Sequence, residues 1–98
     1  MNILILGGGG REHALAWAVK QNPKCDHLIV APGNAGMQNI AECVDLDIND
    51  GSTVVAYANS RSIDFVIIGP EAPLVAGVAD ALRAAGILTF GPDQAVAK

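Results

Sequence analysis

Short, wholly apolar runs alternate along this chain with longer stretches rich in alanine, valine and leucine. Asn2 to Leu6 reads NILIL and stops at four glycines, the pattern of a central strand buried on both faces. Residues 12 to about 21 are dense in alanine and leucine and predict a helix that Asn22-Pro23 ends. A second β-rich run spans His27 to Val30 and closes at Ala31-Pro32-Gly33-Asn34. Ile40 to Leu46 carries the faintest pattern and predicts a short third strand. Ser52 fits an N-cap, and Thr53 to Ser60 reads as a helix with Val54, Val55 and Ala58 toward the sheet. Phe65-Val66-Ile67-Ile68 predicts a strand ended by Gly69-Pro70. A helix follows from Pro73 to Ala85, with proline in its first turn and Gly86 at its end. Leu88 to Phe90 is a final strand before Gly91-Pro92.

Strands alternating with helices of about ten residues mean βαβ units and a parallel sheet. Right-handed crossovers place helices on both faces. The expected architecture is α/β: a small Rossmann-like sheet of about five strands in the order 3-2-1-4-5. No repeat, low-complexity segment or internal linker interrupts residues 1–92, so they read as one domain. Residues 93–98 carry no element signal and read as the start of a connection.

The chain has 98 residues, enough for one domain, and its 51% hydrophobic and 16% charged content excludes disorder. No apolar run approaches the about 18 residues of a membrane span. The first apolar run lacks a basic leader, so neither a signal peptide nor an anchor is expected, and the location reads as cytoplasmic. Cys25 and Cys43 stand 18 positions apart, match no metal spacing, and read as two free thiols. The net charge of −4 and the lack of any basic cluster argue against nucleic-acid and membrane partners.

An open parallel sheet binds ligands at the carboxyl ends of its strands, where the strand order reverses. Here that crevice falls between the first and fourth strands, rimmed by Gly7 to Gly10 and Gly69-Pro70-Glu71, with Ala31 to Asn34 beside it. Four consecutive glycines let the backbone turn sharply and bring N–H groups against a ligand. The helix behind them turns its positive end to the same spot, which suits a phosphate, and Arg11 is placed to add a charged contact or to lie solvated. The alternative is a tight strand-to-helix connection. The dinucleotide fingerprint fails in both frames, because its third glycine falls on Glu12 or on His13. The acid it needs after the second strand is replaced by Ala31 and Pro32, and no Walker A sequence is present. A phosphorylated sugar therefore fits better than NAD or a nucleoside triphosphate.

Glu71 can accept hydrogen bonds from sugar hydroxyls or an amine, or can stabilise the following helix dipole by about 0.3–1 kcal/mol. Asn34 is either a ligand contact or a turn former. His13 and Trp17, four apart on one helical face, read as packing residues, and His27 as the start of a strand. Asp45, Asp47 and Asp50 read as a solvated turn. No nucleophile–base pair is defined by spacing.

The strings NILILGGGGREHALAW at 2–17, APGNAG at 31–36, VIIGPEAPLVAG at 66–77 and FGP at 90–92 together resemble the amino terminus of the phosphoribosylamine–glycine ligase (glycinamide ribonucleotide synthetase) family. The resemblance spans almost the whole chain and implies a pre-ATP-grasp domain of a purine-biosynthetic ligase. Family members activate glycine with ATP as an acyl phosphate, which 5-phosphoribosylamine attacks to give glycinamide ribonucleotide, ADP and phosphate. They are several times longer, so ATP and its Mg or Mn ion would bind in later ATP-grasp domains, and none to these 98 residues. By that likeness Gly8, Gly9, Gly10 and Arg11 form a phosphate-side loop. Glu12 fixes that loop or faces the substrate, and Pro32, Gly33 and Asn34 shape a second wall. Glu71, its turn set by Gly69, Pro70 and Pro73, would hold ribose hydroxyls or the amine. No catalytic residue and no metal ligand is expected in this stretch, which would be inactive alone and prone to self-association. The alternatives are a stand-alone nucleotide-binding regulatory module and a receiver-like domain, the latter lacking its acidic pair after the first strand.

Overall fold

The amino-terminal apolar run forms the middle of a five-stranded parallel sheet, and its side chains alternate between two separate cores. A computed structural model describes residues 1–48, 50–69 and 76–90. The strands are β1 (Asn2–Gly7), β2 (His27–Pro32), β3 (Glu42–Cys43), β4 (Phe65–Ile68) and β5 (Leu88–Phe90). The helices are α1 (Gly10–Lys20), α2 (Gly51–Ser60) and α3 (Ala76–Ala84), with a short 3₁₀ helix at Ala35–Asn39. The order is β3-β2-β1-β4-β5, all pairs parallel, with Ile5 registered on Val30 to one side and on Ile67 to the other. The architecture is the Rossmann-like one expected from the alternation of elements.

Leu4, Leu6, Ile29, Val66 and Ile68 pack with Val54 and Ala58 of α2 and Val78 and Leu82 of α3. Ile3, Ile5, Leu28 and Val30 face the other way, onto Ala16 of α1 and Met37 of the 3₁₀ helix. Because both faces are covered, neither set of alternating positions in β1 can be polar. Val54 and Ala58 turn toward the sheet as their spacing predicts, and Val55 is half-buried.

Four boundaries depart from expectation, each for a local reason. The third strand is two residues long instead of spanning 40–46. Ile40 and Ala41 donate their N–H groups to the Met37 carbonyl and so close the 3₁₀ helix, while Val44, Leu46 and Ile48 cross to the α2 side. Strand β2 runs on through Ala31 and Pro32, paired with Leu6 and Gly7; the Ala31–Pro32 peptide is cis. The N-cap of α2 is Asp50, not Ser52: its carboxylate accepts from the backbone N–H of Ser52 at 3.1 Å and of Thr53 at 3.5 Å, and from the Thr53 hydroxyl at 3.0 Å. Helix α1 begins at Gly10, two residues before the predicted start.

At the far end of α3, Gly86 (φ +80°) donates to the Arg83 carbonyl and Ile87 to the Leu82 carbonyl, both at 3.0 Å. That left-handed residue ends the helix as its glycine predicts. Pro73, the expected first turn of this helix, and residues 93–98 lie outside the described residues.

Candidate functional site

The carboxyl ends of β1, β2 and β4 gather three loops around the point where the strand order reverses. Their backbones touch directly. The Gly33 N–H donates to the Gly7 carbonyl at 3.1 Å, and the Gly69 N–H to the Leu6 carbonyl at 2.9 Å. A Cβ on Gly8 would stand 2.6 Å from the Gly33 carbonyl oxygen, so this approach admits no side chain.

Glu12 fills the crevice itself. Its side chain is fully buried, and its Oε1 accepts the Gly9 N–H at 3.0 Å, which satisfies one orphan donor at the start of α1. A Cβ on Gly7 would lie 2.5 Å from Oε1, and one on Gly69 would collide with Cγ of the same side chain. Glu12 thus bonds to the backbone of the glycine loop it follows. No buried side-chain oxygen or nitrogen among the described residues lacks a hydrogen-bond partner.

Asn34 is a strut between loops. Its Nδ2 donates to the Gly8 carbonyl at 2.8 Å, and its Oδ1 accepts the Met37 N–H at 3.1 Å, which caps the 3₁₀ helix. Its φ of −151° is extended; the left-handed residue of this turn is Gly33, at φ +71°. A Cβ on Gly33 would lie 2.6 Å from Cys43 Sγ, and that thiol donates to the Asn34 carbonyl at 3.6 Å. Pro32 is exposed at the end of β2.

The outer lip differs from the floor. Gly10 and Arg11 are exposed, and the space a Cβ would take on Gly10 is open. This lip is the first turn of α1, where the helix dipole favours an anion. Thus Gly7 and Gly8 serve close packing, and the solvent-facing part of the loop begins at Gly10. Gly69 is buried against Glu12, whereas Pro70, Glu71 and Pro73 lie outside the described residues.

The remaining candidates take structural places. His13 is half-buried, and a Cβ on Gly36 would lie 3.1 Å from its Cε1; Trp17, read as a packing residue, is 58% exposed. Asp45 and Asp47 are exposed, while Asp50 caps α2. Cys25 and Cys43 are free thiols, half-buried, and burial pushes the Cys25 thiol up from its ordinary value. Among the described residues no group of three His, Cys, Asp or Glu side chains could hold a metal ion. No helix among them is long and apolar enough to cross a membrane.

The sequence reading offered Glu12 as a residue that fixes the loop but missed its burial between Gly7 and Gly69, and it missed that Asn34 ties two loops together. Only the local bonds carried a signal: Glu12 falls at the third helical position after Gly9, and Asn34 lies three residues before the Met37 it caps.

The family model for the phosphoribosylglycinamide synthetase N domain matches residues 1–98. Over its full length the chain is 58% identical to a phosphoribosylamine–glycine ligase of Agrobacterium fabrum. It is 53% identical, over 100 aligned positions, to the ligase of that name from Vibrio cholerae and 52% identical to that of Mycobacterium leprae. It spans 23% of the length of each of these relatives. A match over every residue shows that the chain belongs to the phosphoribosylglycinamide synthetase N-domain family.

Proposed function

We propose that this domain serves a ligase that joins glycine to 5-phosphoribosylamine, and that it holds the phosphoribosyl end of that substrate. The observation that carries the reading is the division of the site into an open Gly10–Arg11 lip and a floor closed by Glu12. An anion is favoured at the lip, over the first turn of α1 and beside a guanidinium. It is disfavoured at the floor, where a carboxyl group already takes the Gly9 N–H. The phosphate therefore sits outward, and the ribose with its amine extends toward the carboxyl end of β4. Glu71, three positions after β4 in the sequence, is assigned the ribose hydroxyls or the amine by the family pattern. That amine is the nucleophile, so a carboxylate accepting its proton-bearing side holds it in place while leaving a lone pair to attack.

ATP, with a divalent metal, would supply the activation of the glycine carboxylate as an acyl phosphate. We assign both to polypeptide outside the matched residues, as the family likeness implies. The chain's own contribution is binding and orientation. Isothermal titration tests it: ribose 5-phosphate binds, and Arg11→Ala weakens it by about 1.5–3 kcal/mol, the worth of a charged hydrogen bond. Tight binding of NADH without binding of ribose 5-phosphate would instead favour the regulatory nucleotide-binding module. The 98-residue chain alone is expected to show no glycine-dependent release of ADP.

A further inference from the structure

One face of the sheet is finished and the other is half-finished. Helices α2 and α3 cover Leu4, Leu6, Val66 and Ile68 on the first face. On the second, α1 and the 3₁₀ helix cover Ile3, Ile5, Leu28 and Val30, which belong to β1 and β2. Strands β4 and β5 present Phe65, Ile67, Leu88 and Phe90 to that same side. Phe65 is registered on Leu88 and Ile67 on Phe90, and the rings of Phe65 and Phe90 meet edge-on with centroids 4.9 Å apart. Their alternates Val66, Ile68 and Thr89 are buried, whereas Leu88 is 58% and Phe90 60% exposed. The crossover helix α3 lies on the opposite face, so no described element is left to cover this half.

We propose that, in the full-length ligase, the polypeptide following β5 turns back over this half-face and buries Leu88 and Phe90 beneath an apolar segment. The inference rests on the ligase reading above, because it needs the longer chain. Two observations name this occupant. The relatives carry more than three quarters of their length outside the matched region, and β5, the last described strand, ends at Phe90 within the patch. Short connections place consecutive elements side by side, which favours an element that follows β5 as the cover of this half-face. A second copy fits less well: four partly exposed side chains offer roughly a few hundred Å², against the about 800 Å² per partner of a stable dimer.

The test uses the full-length ligase carrying Leu88→Cys, with the 98-residue chain carrying the same change as its bare reference. Alkylation at position 88 is followed by peptide mass spectrometry, which separates it from Cys25 and Cys43. A covered thiol reacts only through local opening, so the rate falls about tenfold or more in the full-length protein at every protein concentration. Equal rates overturn the inference, and so does a slowing that grows with concentration, which assigns the patch to a second copy. Phe90→Cys repeats the measurement should the first variant fail to fold. Glycine-dependent ADP release from the same samples separates the two readings. An active ligase with a freely reacting thiol defeats this inference alone; a protected thiol in the Leu88→Cys ligase, when the unsubstituted ligase also never turns over, defeats the function alone.

Discussion

Glu12 shows how one side chain can dictate the residues around it. A carboxyl group buried between two strand ends needs neighbours without side chains, and it has them in Gly7 and Gly69, which are 62 positions apart. Gly69→Ala adds a methyl where Glu12 Cγ already lies, and overpacking of this kind costs about 1–3 kcal/mol. Urea unfolding is expected to show that loss for Gly69→Ala and little change for Gly10→Ala beyond its helix preference, since Gly10 faces open space. The glycine run was legible in the sequence as a special turn. That its members divide between packing and an open lip was not, because the obstacles to Gly8 and Gly69 come from Gly33 and Glu12, brought near only by the sheet. The same holds for Asn34, whose capping of Met37 is a local pattern but whose bond to Gly8 crosses between loops.

Strands and helices with a strong period were legible nearly to the residue: β4 and β5 match their apolar runs, and α3 ends where Gly86 requires. The failures fall where two local signals compete. Ser52 and Asp50 are both good caps; Asp50 wins because its carboxylate reaches two backbone N–H groups and the Thr53 hydroxyl together. Asp50→Ala is therefore expected to lower the unfolding free energy by about 0.5–2 kcal/mol, and Ser52→Ala to leave it nearly unchanged, in thermal or urea melts. Around β3, an apolar alternation that looks like a longer strand is divided between the two cores, a choice invisible without the helices.

At the scale of the whole molecule, ion pairs among the described residues join segments distant in sequence. Arg61, after α2, grips Glu42 of β3 through both guanidinium nitrogens at 2.9 and 3.1 Å and lies over the Tyr57 ring. The Met1 ammonium meets Asp26 at 2.6 Å. Hydrogen bonds from Arg61 and from the ammonium hold the carboxyl groups of Glu42 and Asp26 below their ordinary values of 4.5 and 3.8. A depressed carboxyl stabilises the fold above its unfolded value, and that contribution is lost as pH falls through the folded one. Both pairs are solvent-exposed, so the effect is modest and screened by salt. Melting temperature is expected to drop as pH is lowered below about 4.5, less steeply in 1 M salt, and less steeply again in Arg61→Met.

Both margins of the sheet are short. Strand β3 offers two residues, one of them clasped by Arg61, and gives an incoming chain almost nothing to hydrogen-bond against. The opposite margin, β5, is only one residue longer, so among the described strands neither border gives an incoming chain a long template, and growth by edge pairing between copies is discouraged.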